Sequence, residues 1–202
     1  MSRTIENIES NEKLCGVLKS ALDVFEEEGF ENTTFQKIAD RVNVTRTSLY
    51  QYFKNKLDVF HHCIKIFLKD IETTITALSA DAGITSIEKL IRLMRIILEC
   101  LEENRRLLNV ILDFLTHSKI SSEEMNYHIR RRTIRLRHIF AGIIIDGMNS
   151  GEMRRLDIGT VGGILFSLIQ AAIFELVIFK RETILWMMPL FEANIRAFQT
   201  PK

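Results

Sequence analysis

Within two turns of chain stand Thr45, Arg46, Thr47, Ser48 and Gln51, side chains of the kinds that meet base edges in a DNA major groove. Arg presents paired donors to guanine, Gln a donor and an acceptor to adenine, and the Thr methyl packs on that of thymine. Thr34, Gln36, Tyr50, Tyr52 and Lys56 flank them. A helix N-terminus at Thr34, the phenol of Tyr52 and the ammonium of Lys56 suit phosphates, which would fix register on a duplex. This is the chemistry of recognition. No Ser-His-Asp arrangement, phosphate-cradling glycine loop or glycine-spaced nucleotide fingerprint appears, so neither catalysis nor a cofactor is expected. His61, His62 and Cys63 are consecutive. On a helix they point in different directions, with no partner at i+4 of either His, so structural or surface roles are preferred to a metal site.

The elements that must position these groups are legible as two short helices joined by a tight turn. Thr33 and Gln36 have the spacing of a capping box, which starts a helix near Thr34. Ile38, Ala39 and Val42 give that helix an apolar edge, and Ala39 is small enough for close crossing. Asn43 tolerates the left-handed conformation of a sharp exit. Thr45 caps the second helix, with Leu49, Tyr50 and Phe53 available for packing. Asn55 caps a third, carrying Lys56 in its first turn. Upstream, Leu14, Val17, Leu18, Ala21, Leu22 and Phe25 recur at helical spacing until Gly29 ends the helix and Phe30 covers its end. Downstream, Leu57, Phe60, Ile64, Phe67, Ile71, Ile75 and Leu78 predict one long helix joining two domains.

Residues 14–60 resemble the DNA-binding segment of the tetracycline-repressor-type (TetR) family of bacterial regulators. The likeness rests on Ala21, Phe25, Gly29, Phe30, Thr34, Ile38, Ala39, Val44, Leu49-Tyr50, Tyr52-Phe53 and Lys54-Asn55-Lys56. The chain departs from the family pattern at Thr47, where Gly is usual, at Gln51, where an aromatic is usual, and at Tyr52, where His is usual. The family's base preference and one phosphate contact therefore do not transfer, and Gln51 is free to read a base. The resemblance implies a repressor whose final two helices pair with their copies in a four-helix interface. It also implies a small molecule bound among the middle helices, shifting the long helix and weakening DNA binding.

The totals fit this reading. With 202 residues and 47% hydrophobic content the chain can bury a core, and its net charge of +1 gives no general affinity for nucleic acid. The distribution is more telling: residues 5–31 carry eight acidic groups against Lys13 and Lys19, whereas residues 33–56 carry Lys37, Arg41, Arg46, Lys54 and Lys56 against Asp40. Cys15, Cys63 and Cys100 form no C-x-x-C pair and the N-terminus lacks a signal-like apolar core, so a reducing cytoplasm is expected.

Beyond the long helix the pattern stays helical. Residues 80–85 break it, helices follow to Asn104 and through Leu107, Leu108, Ile111, Leu112 and Leu115, and residues 117–122 form a loop. Another helix runs to Asn149, with Arg130, Arg131, Arg132, Arg135 and Arg137 crowded on it as an anion site or a solvated face paired with Glu102, Glu103 or Glu124. Asp157 caps the next. Ile158 to Phe179 is apolar apart from small residues, Gln170 and Glu175, and about as long as a bilayer span requires, but Glu175 and the absence of a second span favour a helix packed on its own domain and on a second copy. A last helix from Thr183 either kinks at Pro189 or begins its regular part there. Cys100, Asn109, Asp113, His117, Tyr127 and His138 are polar or sulfur-bearing groups within apolar helices, as an effector pocket needs.

The expectation is an all-α chain of about nine helices, with a helix-turn-helix domain over residues 1–55 and an effector-binding, dimerising domain over residues 56–202. It would act as a homodimer on double-stranded, near-palindromic operator DNA, released by a hydrophobic small molecule, without a membrane. The alternative is a small-molecule-binding bundle whose helix-turn-helix serves protein interaction.

Overall fold

A computed structural model of the chain describes residues 12–117 and 123–201, with no side-chain description for residues 12–13, 67–70, 117 and 123–132. Among the described residues the α-helices are α1 (Glu12–Asn32), α2 (Phe35–Arg41), α3 (Arg46–Tyr50), α4 (Lys56–Ala80), α5 (Ser86–Glu103), α6 (Arg105–His117), α7 (Glu123–Asn149), α8 (Ile158–Val177) and α9 (Met188–Arg196). A 3-10 turn, Leu185–Met187, precedes α9. Pro189 lies in the first turn of α9, so the regular part begins there, where proline's missing N–H breaks no bond. Residues 1–8 and most of the 117–122 loop lie outside the described residues.

The chain divides into two compact units. The first comprises Met1–Lys69 with Arg106–Ser122, the second Asp70–Arg105 with Glu123–Lys202. The unit that holds the reading head therefore runs past residue 55 and takes in α6. Its core is aromatic. Phe25, Phe30, Phe60 and Phe114 are fully buried, with ring centroids 5.4 Å apart for Phe25–Phe30 and 4.6 Å for the edge-on Phe30–Phe114 pair. Phe114 takes the buried place on α6, whereas Leu115 one residue on is exposed.

Gly29 ends the regular part of α1 at φ 76, ψ 159, a region open essentially to glycine. The freed Phe30 N–H is taken by Asp113 Oδ2 of α6 at 3.3 Å. Thr33, expected as the cap of α2, is instead buried, its hydroxyl donating to Gly29 O at 2.8 Å. Thr34 is the N-cap, accepting from Lys37 N–H, and the Gln36 amide binds Asp40 at 2.7 Å rather than reaching back. Two adjacent threonines both carry the cap chemistry; the one whose side chain finds carbonyls inside the unit is drawn in.

In the second unit α5 buries Ile87, Leu90, Ile91, Leu93, Met94, Ile97, Leu98 and Leu101, and Thr85 caps it. Glu152 adds its carboxylate to the same helix start, accepting from Ser86 N at 2.7 Å and Ile87 N at 3.0 Å. Asp157 caps α8 as expected. The Glu102 carboxylate serves the chain entering α9, accepting from Thr183 Oγ1 at 2.5 Å and from the Ile184 and Leu185 N–H groups. Burial raises its pKa, but these donors outweigh it and hold the carboxyl below its ordinary value.

Candidate nucleic-acid interface

The reading head is built from a scaffold one side chain deep. Ile38 and Ala39 of α2 and Leu49 and Phe53 at and after α3 are buried, which fixes the two helices against each other. Asn43 makes the turn at φ 53, and Val44 N–H closes it onto Ala39 O at 3.0 Å. Thr45 caps α3 as expected: its Oγ1 accepts from Ser48 N at 3.2 Å and shares a 2.8 Å bond with Ser48 Oγ. Those two hydroxyls are engaged with each other. Arg46, Thr47 and Gln51 are left facing outward, all exposed.

Tyr50 is 49% exposed, and its ring stacks on Phe35 with centroids 4.7 Å apart. Its phenol oxygen accepts from Arg46 Nη2 at 2.9 Å, with the guanidinium 5.4 Å from the ring centroid. Tyr52 is exposed, as is Thr34. Asn55 Oδ1 accepts from Asp58 N at 2.9 Å while Asp58 takes Lys54 N at 2.9 Å, which closes the entry to α4.

Lys56, expected at a phosphate, has its Nζ on the carbonyls of Phe30 and Glu31, at 2.7 Å each, and over the Phe30 ring. Burial pushes its ammonium pKa down, with Glu31 opposing. It clamps the end of α1 to the start of α4 and turns inward. The basic excess is likewise partly spent within the unit. Lys37 pairs with Glu28 at 2.8 Å, and Arg41 grips both Glu27 oxygens, one at 3.0 Å, holding that carboxyl below its ordinary range. The acidic face of α1 and the basic face of α2 meet, which leaves Arg46 and Lys54 as the cations beside the head that these α1 pairs do not engage.

The groups expected around an effector fall in both units. Asn109 and Asp113 belong to the first unit and Cys100 and His138 to the second. Asp113 serves Phe30, Asn104 lies on Cys100 O and Sγ, and His138 is exposed. The side chains of His117, Tyr127, Arg130, Arg131 and Arg132 lie outside the described residues. Of the arginine cluster, Arg135 pairs with Glu72 at 3.2 Å and Arg137 stacks on Phe166. His62 Nδ1 lies 2.8 Å from Asp58 O, and buried Cys63 donates to Leu18 O, its thiol pushed up to about 12 by burial.

Among the described residues the fold is helical, and a capped, exposed helix stands over a buried helix-turn-helix scaffold, an arrangement that DNA-reading segments use. Residues 17–63 match the family model described as bacterial regulatory proteins, tetR family. Over 49 residues the chain is 33% identical to the Staphylococcus aureus biofilm operon icaADBC negative transcriptional regulator IcaR, a match covering 24% of this chain and 26% of that one. The similarity thus spans about a quarter of that relative's length. Among solved structures, a Clostridium perfringens protein ascribed to fatty acid metabolism regulation shares 25% identity at TM-score 0.71, covering 92% of this chain and 99% of its own. The Bacillus subtilis regulator FadR, in complex with stearoyl-CoA, has the same fold at 23% identity and TM-score 0.70, with 91% and 96% covered.

Proposed function

We propose that this protein is a ligand-responsive transcriptional repressor that binds a near-palindromic operator as a homodimer and is released by a small hydrophobic effector. The observation that carries the reading is the head itself: Arg46, Thr47 and Gln51 project from a helix whose other face is locked by Leu49. One such head covers too few base pairs to be selective in a genome, so a two-fold pair is needed. The second unit offers the face for it. Phe174, Phe179 and Trp186 are 52%, 60% and 55% exposed, with Ile164, Ile178 and Leu190 also open, a concentration of apolar groups that a soluble chain covers with a partner. The same exposure explains how α8 reaches a mean hydropathy of 1.8 over 18 residues without crossing a membrane. Acyl-type effectors are the first class to try, because a fold neighbour holds stearoyl-CoA.

The test is fluorescence anisotropy on duplexes flanking the protein's own gene, across a salt series. Sequence-selective, salt-sensitive binding should be lost in Arg46→Ala and weakened by stearoyl-CoA or a related acyl compound. Phe174→Glu should sediment as a monomer and lose operator affinity. A Phe174→Glu protein that remains dimeric refutes the assigned interface, and wild type binding all duplexes alike refutes operator recognition.

A further inference from the structure

We propose that Tyr50 is a positioning residue for base reading: it holds the Arg46 guanidinium in the orientation that reads one guanine of each half-site. The inference rests on the DNA-reading function above and adds to it which residue makes the arginine selective. Arg46 is exposed, on a helix of five residues, where a long side chain would ordinarily sample many rotamers. Here it is held twice by one neighbour. The phenol oxygen accepts from Nη2 at 2.9 Å, and the ring lies beneath the guanidinium at 5.4 Å. The neighbour is itself fixed, because Tyr50 stacks on Phe35, a residue buried in α2.

A chain of contacts therefore runs from the core of α2 through Phe35 and Tyr50 to the guanidinium. One Nη is taken by the phenol and the remaining N–H groups stay available, enough for the two acceptors that guanine presents side by side. Thr45 and Ser48 bond to one another, so their hydroxyls do not compete for Arg46. Holding the fork before contact removes an ordering cost that would otherwise fall on the selective contact alone. Tyr50 consequently acts on discrimination between bases, while general attraction to phosphate is left to other groups.

The experiment selects the preferred duplex for full-length wild type from a randomised pool. It then measures dissociation constants on that duplex, on variants with each guanine replaced by adenine, and on a random-sequence duplex. Arg46→Ala should abolish discrimination at one guanine position per half-site. Tyr50→Phe keeps the ring on Phe35 and removes only the oxygen, and should lose about three- to tenfold discrimination at that same position. Other positions and the random duplex should be unchanged, and Tyr50→Phe should add nothing in an Arg46→Ala background. Unmoved melting of Tyr50→Phe separates this from loss of fold. A uniform fall on every duplex would mean that the phenol contacts phosphate and would overturn the proposal, as would unchanged or improved discrimination. If wild type selects no duplex, the DNA-reading function fails and the proposal with it.

Discussion

Phe114→Ala should destabilise the first unit while leaving the other unit's transition in place, because α6 completes the core of the former. The Phe114 ring is 1% exposed, edge-on to Phe30 at 4.6 Å and 5.5 Å from Phe60. Truncating a buried Phe costs about 3–5 kcal/mol, transfer and cavity together. The upper half of that range applies, since the ring also gives up two aromatic contacts worth about 0.5–1.5 kcal/mol each. Against a domain stability of about 5–15 kcal/mol such a loss is large. Urea denaturation reads it with two probes: far-UV circular dichroism for total helix, and emission of Trp186, the chain's one tryptophan, which belongs to the second unit. With slopes of about 1–3 kcal/mol per molar urea, part of the helical signal should be lost about 2 M earlier. The Trp186 transition should move much less. Phe114→Leu keeps most of the volume and should lose about 1.5 kcal/mol or less. A cost for Phe114→Ala below about 1 kcal/mol, or a shift of the Trp186 transition alone, would refute α6 as part of this unit.

Gly29→Ala should cost about 1–3 kcal/mol, read as a lower melting temperature, because φ 76 with ψ 159 is a region L-residues avoid. A Cβ there would stand 3.5 Å from Asp113, an ordinary contact, so the loss is backbone strain and other residues at 29 should fare no better. Glu102 gives the second unit an acid-sensitive element. Its folded pKa is held below the ordinary 4.5, so its contribution is complete above that value and is lost as pH falls through the lower folded value. Glu102→Gln should flatten that part of the acid limb of the Trp186-monitored stability curve, and an unchanged acid limb would count against the Glu102 bonds as its source.

Most of the helix order was legible because its signals are local. The run from Leu57 to Leu78 needs one long helix, Asn43 needs a left-handed turn, and Thr45, Asn55 and Asp157 each cap the helix that follows. Where two neighbours carry the same chemistry, local signals do not choose: Thr33 and Thr34 are equivalent until the carbonyls of Val24 and Gly29 claim the first. Long-range contacts were not legible at all. Nothing in Leu107 to Leu115 says that Phe114 meets Phe30, eighty-four residues earlier in the chain, or that Asp113 caps the exit of α1. Lys56 reads as a phosphate ligand by type and position, and only the fold reveals the two carbonyls that turn it inward.

The charge pattern has a cause inside the first unit. The sign change between residues 5–31 and 33–56 reads in the sequence as a docking face, and part of it is complementarity between α1 and α2. Lys37 and Arg41 meet Glu28 and Glu27, exposed pairs that add little to stability. Their larger effect is on the field that DNA meets. A cation already paired contributes less to counterion release than a free one, so the electrostatic share of binding falls more heavily on the groups beside α3. On the proposed reading Arg46 has two tasks, attraction and base reading. A guanidinium suits both, because its charge acts at a distance while its planar fork acts only in register. That division is why substituting Arg46 should lower both affinity and selectivity, whereas changing Tyr50, which carries no charge, should lower selectivity alone.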